Sequence, residues 1–470
     1  MPKLFKGKKV TVMGLGLNNG GVGVAKYFCE NGADVLVTDL KTKKELARSL
    51  LKLKKYSHPS SKNCIKGCKI KYRLGEHKEE DFIKTDLVIK NPAVPLSSKF
   101  LQIARDHDVK VETDTNIFFN LCPAKIIGVT GTKGKSTTAT LIYELIKAQN
   151  KKAFLAGNIG VSPLEILNKI TPDAIVVLEL SNFELEELEK SPHIAAITTV
   201  LPDHLNRYKT YNDYIATKRL IFKYQKPEDH LVLNYDNEIT RNFAKLSRSN
   251  VYLFSADKKS NGCFLKGDEI FFNQEKEPIF DIKNLKIFGR HNVSNILSAV
   301  TVAKIMNISN DKIRKVLQNF TGVANRQELI AENKGVKYIN DTTATMPDAV
   351  IFAIRATKQR FPKSEIILIL GGQDKNLYFR NLAAEINKEI KNIVLLPGTA
   401  SDIIKNELSA MGSKIKIIPA PSMQEAVKKA GGISKRGDVV ILSPGAASFN
   451  LFKNEFDRGE QFVKAIKGLR

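Results

Sequence analysis

Residues 128–138 read GVTGTKGKSTT, directly after the apolar run AKII and ahead of ATLIYELIKAQN. An apolar run, a glycine-rich turn and a helical pattern predict the layout of a loop that cradles phosphate at a helix N-terminus. The common spacing of such loops, Gly, four residues, then Gly-Lys-Ser/Thr, requires glycine at 129, where Val129 stands. The glycines recur instead every third residue, at Gly128, Gly131 and Gly134. Gly131, Thr132, Lys133 and Gly134 form the predicted turn, whose backbone N–H groups can face phosphate oxygens. Lys135 supplies a cation for the outer phosphates, and Ser136 or Thr137 a hydroxyl for Mg²⁺. The resulting expectation is an ATP-using site.

Further strands in the same region end in polar residues. VVLELSNFELEEL puts Glu179 at the end of a buried-type strand, a natural place for a Mg²⁺ ligand beside a phosphate loop. TTVLPDHLNRY repeats the pattern with Asp203 and His204, and a metal or substrate role is expected for the histidine. Lys218, in YNDYIATKRLIFKYQ, reads from composition alone as a solvated helix lysine. Asn292 and Asn295 in GRHNVSNILSA lie one helical turn apart, so their amides can share a face, for a base edge or for capping. Arg326 in GVANRQEL has the rigid fork that suits phosphate or a surface carboxylate. Asp341 and Thr345 in INDTTAT, with Ser448 in ILSPGAASFNLFKNEFDRG, follow strands where a substrate carboxylate could be held.

The chain has 470 residues, enough for about three domains. Its alternating strand and helix patterns predict an α/β protein. Residues 1–121 open with KKVTVMGLGLNNGGVGVAKYFCENGADVLVTDL, a βαβ unit with a glycine turn at Gly14 and Gly16 and an acid, Asp39, where a ribose hydroxyl is commonly met. A later strand runs into the NPAVP loop. Residues 122–322 predict a mostly parallel sheet covered by helices, with short antiparallel edge strands in VYLFSADKKSNGCFLKGDEIFFNQEKEPIFDIK. Residues 323–470 hold five strand candidates alternating with helices, a second doubly wound sheet. The fold class expected is a Rossmann-like N-terminal domain, a P-loop ATPase-type central domain and a Rossmann-like C-terminal domain.

Composition excludes several classes. Hydrophobic residues at 43% and charged residues at 26% are those of a globular chain. No stretch approaches the ~20 apolar residues of a membrane span, and no signal core follows the N-terminus, so a cytoplasmic protein is expected. The five cysteines are scattered and predict reduced thiols rather than a zinc site. The formal charge of +25 comes from lysines spread along the whole chain. With no nucleic-acid motif beside it, this predicts a general lysine bias and no nucleic-acid partner.

Nine stretches occur in the order in which the Mur ligases carry them: GVTGTKGKSTT, GNIG, ELSNFELE, PDHLNRY, YIATKRLIF, GRHNVSN, NRQE, NDTTAT and SPGAASF with FKNEFDRG. Along essentially its whole length the chain resembles that family, and TGTKGKST is the family's form of the phosphate loop. The resemblance implies an amide-forming ligase with UDP-, ATP- and amino-acid-binding domains in that order, most like the members that add D-glutamate to UDP-N-acetylmuramoyl-L-alanine. ATP would phosphorylate the alanyl carboxylate to an acyl phosphate, which the amine of glutamate attacks.

By the same resemblance, Lys135, Glu179, His204 and Lys218 would be catalytic. Ser136, Glu179, His204 and a carbamylated Lys218 would serve two Mg²⁺ sites, which reverses the bland reading of Lys218. Asn292, Asn295, Arg326 and Asp341 match nucleotide contacts, and Gly16, Leu17, Asn18, Asp39, Leu40, Lys41, Asn91 and Ala93 match the uridine-diphosphate site. Asn158 matches a muramoyl contact, and Thr345, Lys375, Ser448 and Phe449 match the glutamate pocket. A monomer is implied.

Three stretches depart from the family. Thr343 stands where a lysine is usual, Asn325 where histidine is common, and Asn182 and Glu184 where serine and glutamine are. Loss of a cation beside the acceptor leaves L-glutamate as the alternative acceptor. Other Mur ligases and folylpolyglutamate synthase share the loop but differ from NDTTAT in their third domains.

Overall fold

The computed structural model describes residues 4–16, 20–57, 69–149, 151–203, 207–287, 289–374, 377–448 and 451–469, the side chains of 55 and 57 excepted. Leu17, Asn18, His204, Lys375 and Phe449 lie outside the described residues. Two compact units are present: Met1–Asn284 with Val293–Leu317, and Leu285–Asn292 with Gln318–Arg470.

The first unit contains two parallel sheets. One is built from β1 (Lys9–Met13), β2 (Asp34–Asp39), β3 (Ile70–Leu74), β4 (Leu87–Lys90) and β5 (Lys110–Thr113), in the order β3-β2-β1-β4-β5. Every pairing is parallel, with the order reversing beside β1, so the glycine turn after Met13 and the loop after Lys90 meet at a switch point. The other is built from β6 (Lys125–Thr130), β7 (Ala153–Gly157), β8 (Ile175–Glu179), β9 (Ile194–Ile197), β10 (His230–Asn234) and β11 (Asn250–Phe254), in the order β11-β10-β9-β6-β8-β7. The phosphate-loop strand β6 is therefore central, with β8 and β9 on its two sides.

The β8 stretch IVVLE is wholly buried, as expected of a parallel strand covered on both faces. The VYLF stretch joins this parallel sheet as β11, rather than the antiparallel edge predicted for it. Among the described residues only β12 (Cys263–Lys266), β13 (Glu269–Phe272) and β14 (Phe280–Asp281) form a wholly antiparallel sheet. Alternation cannot separate the two cases, because both read as short β-branched and aromatic runs.

The second unit holds β15 (Glu328–Asn333), β16 (Val336–Asn340), β17 (Ile366–Leu370), β18 (Asn392–Leu395), β19 (Lys416–Pro419) and β20 (Val439–Leu442). Their order is β15-β16-β20-β17-β18-β19. All five predicted strands are present and parallel, and β15 is added antiparallel to β16 at the edge. Successive residues of β17 and β20 alternate between two cores. Ile366, Leu368, Val439 and Ile441 enter one, and Ile367, Ile369, Val440 and Leu442 the other. That double burial explains the continuous IILIL and VVIL runs.

Cys122 and Cys263 are free, as expected, but Cys29 is disulfide-bonded, which departs from the reduced thiols predicted for all five. Among the described residues no helix is long and apolar enough to cross a membrane.

Candidate active site

The loop after β6 owes its shape to two glycines. Gly131 has φ +144°, and a Cβ there would come within 2.0 Å of Thr198 Oγ1. Gly134, at φ +87°, opens the helix Lys135–Ala148, and its Cβ would come within 2.1 Å of Asn295 Oδ1. Gly128 has a different reason: it lies inside β6, where a Cβ would meet the Pro192 ring at 2.8 Å. The three-residue spacing thus combines one packing glycine with two conformational ones.

Hydroxyls pin the loop. Thr132 N–H donates to the Thr199 carbonyl at 2.6 Å, and Thr132 Oγ1 accepts from Leu201 N–H at 3.0 Å and lies 2.8 Å from the Tyr214 hydroxyl. Thr198 Oγ1 contacts the carbonyls of Thr130 and Lys133 at 3.2 and 2.6 Å. Lys135 Nζ donates to the carbonyls of Gly131 and Thr132, both at 3.1 Å, so its ammonium closes back over the turn. Ser136 is buried in the first turn of the helix Lys135–Ala148.

Glu179 lies opposite Val129 in the β6–β8 register and is 1% exposed. Its Oε1 accepts from Asn158 Nδ2 at 3.0 Å, whereas Oε2 is buried with no hydrogen-bond partner among the described residues. An unpartnered buried carboxylate oxygen is costly, and a cation would satisfy it. This orphan oxygen fits a Mg²⁺ ion. Among the described residues no three His, Cys, Asp or Glu side chains cluster as a metal set.

Lys218 is not the solvated lysine that composition suggests. It is 1% exposed, and its Nζ donates to Thr130 Oγ1 at 3.1 Å and to the Gly131 carbonyl at 3.0 Å. Burial, with Lys135 nearby, pushes its pKa well below the usual lysine range. A neutral amine has two N–H donors for these two acceptors and a free lone pair, the form that reacts with carbon dioxide. Glu184, which contributes to the field at Lys218, is pushed up to about 8, first by burial and further by Asp114 and Glu179.

In the first sheet, Asp39 is tied up by the backbone. Oδ2 accepts from Leu15 N–H at 2.8 Å and Gly16 N–H at 3.0 Å, and Oδ1 from Lys41 N–H at 2.8 Å. The acid predicted to meet a ribose is thus first a clamp for the glycine turn. Asn91 packs beneath that turn, with Nδ2 donating to the Gly14 carbonyl at 3.1 Å and Oδ1 accepting from Ala93 N–H at 3.0 Å. Leu40 and Lys41 are exposed beside it.

Asn292 and Asn295 both fall in the helix Arg290–Ile305, as the spacing predicts. Asn295 belongs to the first unit and packs against Gly134; Asn292 belongs to the second. In the second unit, Asp341 Oδ2 accepts from Ser443 Oγ at 2.8 Å and Oδ1 from Gln327 N–H at 3.1 Å, beside Arg326. Burial raises its pKa to about 7. Thr345 and the buried Ser448 follow the adjacent strands β16 and β20. Thr343 Oγ1 donates to the Asn325 carbonyl at 3.0 Å, joining two of the departures in one contact.

Sequence reasoning missed Thr130, Thr198 and Arg458. Arg458 is fully buried and donates to Thr342 Oγ1, to the Thr342 carbonyl and to the Ala446 carbonyl at 3.0, 2.8 and 3.1 Å, bracing the loops after β16 and β20. Nothing in FDRG distinguishes it from a solvated helix arginine.

Comparison with known proteins matches three families in order: a Mur ligase MurD-like N-terminal domain at residues 8–113, a Mur ligase middle domain at 129–303, and a Mur ligase glutamate ligase domain at 325–445. The chain is 40% identical to the UDP-N-acetylmuramoylalanine--D-glutamate ligase of Roseiflexus sp. (strain RS-1), over 98% of each chain. It is 38% identical to the protein of the same name from Acetivibrio thermocellus, over 99% of this chain and 98% of that one. Among solved structures, UDP-N-acetylmuramate-alanine ligase MurC from Thermotoga maritima is similar in fold, with a TM-score of 0.64 at 21% identity over 98% of this chain and 99% of that one. MurF ligase from the same organism, solved in complex with ADP, is similar with a TM-score of 0.56 at 18% identity over 99% of this chain and 97% of that one.

Proposed function

The chain belongs to the Mur ligase family, and on that premise we propose that it joins D-glutamate to UDP-N-acetylmuramoyl-L-alanine at the expense of ATP. It is an ATP-dependent acid–amino-acid ligase of peptidoglycan precursor synthesis. The observation that carries the reading from geometry to chemistry is the junction of β6 and β8. There a pinned phosphate loop, the Lys135 ammonium and the orphan Glu179 oxygen stand at neighbouring strand ends.

A carboxylate is a poor electrophile, so an amide can form only after a leaving group is attached. Transfer of the γ-phosphoryl to the alanyl carboxylate supplies it, and that transfer is a task of positioning and charge stabilisation. The loop amides and Lys135 would hold the outer phosphates. Glu179, Ser136, His204 and Lys218 would hold Mg²⁺, which when bound neutralises charge on the phosphates. Carbamylation would turn the Lys218 amine into an anion and leave one N–H, so one of its two present hydrogen bonds would be given up.

Asn292, Asn295, Arg326 and Asp341 are assigned to the nucleotide, and Gly16, Leu17, Asn18, Asp39, Leu40, Lys41, Asn91 and Ala93 to the uridine diphosphate. Asn158 is assigned to the muramoyl group, and Thr345, Lys375, Ser448 and Phe449 to glutamate. The domains would be 1–121, 122–322 and 323–470, and the protein a cytoplasmic monomer. L-glutamate as acceptor has no support among the relatives, which are named for D-glutamate.

Phosphate release with UDP-N-acetylmuramoyl-L-alanine, ATP and Mg²⁺ tests the reading, with D- and L-glutamate side by side. Release that depends on D-glutamate is expected. Release with neither acceptor, from protein that binds ATP, would refute it.

A further inference from the structure

The sequence motifs leave unexplained why the loop after β4 and the segment after Glu179 should be held together. Three consecutive carbonyls of the NPAVP loop are occupied by cations. Lys90 Nζ donates to the Val94 carbonyl at 3.3 Å, and Arg207 donates to the carbonyls of Pro92 and Ala93 at 3.3 and 3.1 Å. Each cation is held in turn by a carboxylate from the segment that follows Glu179.

Arg207 makes a two-pronged contact with Glu186, Nε to Oε1 at 3.0 Å and Nη2 to Oε2 at 2.7 Å, with its guanidinium 4.2 Å from the centre of the Phe183 ring. Lys90, 0% exposed, pairs with Glu187 Oε2 at 3.0 Å. Tyr208 adds a hydrogen bond to Glu186 Oε1 at 2.8 Å, and Asn116 Nδ2 donates to the Glu187 carbonyl at 2.6 Å. The 182–189 segment, continuous with the Glu179 strand, is thereby fastened to the loop that carries Asn91.

We propose that Arg207 is a positioning residue for the sugar-nucleotide substrate. Resting on the function proposed above, it orients the 91–94 backbone beneath the glycine turn, so that the uridine-diphosphate side stays in register with the phosphate loop. The fork suits this role, because the guanidinium makes four hydrogen bonds here, two to the carboxylate and one to each carbonyl, one more than an ammonium has N–H donors. Arg207 directs its hydrogen bonds to Glu186, Pro92 and Ala93, so its loss should act on substrate binding more than on chemistry.

Steady-state phosphate release by the full chain tests this. Arg207→Ala is expected to raise KM for UDP-N-acetylmuramoyl-L-alanine about tenfold, with KM for ATP and D-glutamate changed less than about twofold. Glu186→Gln and Arg207→Lys should show the same split in smaller measure, and they carry the test if the alanine variant does not fold. An unchanged KM for the sugar nucleotide, or a parallel rise in all three KM values, would overturn the proposal. Titration with UDP alone separates this inference from the ligase reading. Wild-type protein that binds UDP but releases no phosphate would defeat the ligase reading only. UDP affinity unaltered by Arg207→Ala would defeat the positioning role.

Discussion

Replacing Glu184 by glutamine should stabilise the protein, and the gain should grow with pH. Glu184 Oε2 accepts the Ser181 N–H in a capping box at the start of the short helix Asn182–Leu185, a bond that a glutamine oxygen preserves. Burial, with Asp114 and Glu179 nearby, lifts its pKa from an ordinary 4.5 to about 8. A carboxyl so raised keeps its proton in the folded protein while the unfolded chain releases it. Its stability contribution is therefore complete below pH 4.5 and is lost progressively as pH rises toward 8. With those two values the cost is about 1 kcal/mol at pH 5 and about 3 kcal/mol at pH 7. Glutamine does not titrate, so Glu184→Gln should exceed the wild type by a margin that widens by about 2 kcal/mol between pH 5 and 7. Urea unfolding of both proteins at pH 5, 6 and 7, with a chelator present so that no cation offsets the charge, measures it. A margin that is constant with pH, or narrows, would refute the reasoning.

Gly134→Ala combines a left-handed backbone with a Cβ placed on Asn295 Oδ1, so ATP-dependent phosphate release should fall by about ten- to a hundredfold. Dye-monitored melting should also show a lower Tm. Glu179→Gln keeps the oxygen that accepts from Asn158 but removes the charge that would hold Mg²⁺, and should abolish phosphate release while the far-UV circular dichroism of the protein is unchanged. Lys218→Ala should be inactive but partly restored by short carboxylic acids, which can stand where a carbamate would; full activity without them would exclude that role.

The strand-loop-helix around GVTGTKGKSTT, the five parallel strands of the last sheet and the position of Glu179 were legible because each depends on local pattern: buried runs, glycine turns and polar strand ends. Lys218 was not legible from its own helix. Its Nζ is received by Thr130 and Gly131 of the phosphate loop, partners 88 and 87 residues away. The role of Asp39 was half legible, since spacing put an acid at the end of β2 but could not show that three backbone amides claim its oxygens. The clasp of Arg207 and Lys90 depends on how the 91–94 loop meets the 182–189 segment, which no periodicity encodes. His204 and Lys375, central to the family's pattern, fall outside the described residues.

The hydroxyls of Thr132 and Thr198 carry a thermodynamic consequence. By fastening the phosphate loop to the strand-end segment Thr198–Leu201 and to Tyr214, they place the cost of ordering it in the folding reaction. Nucleotide then meets a cradle that is already rigid, and association need not be accompanied by a large loss of chain entropy. Thr132→Val keeps the shape of the side chain and removes the bonds of the Thr132 hydroxyl to Leu201 and Tyr214. It should shift the entropy of nucleotide binding toward a larger penalty while leaving the groups that touch phosphate unchanged, a signature that calorimetry can read directly.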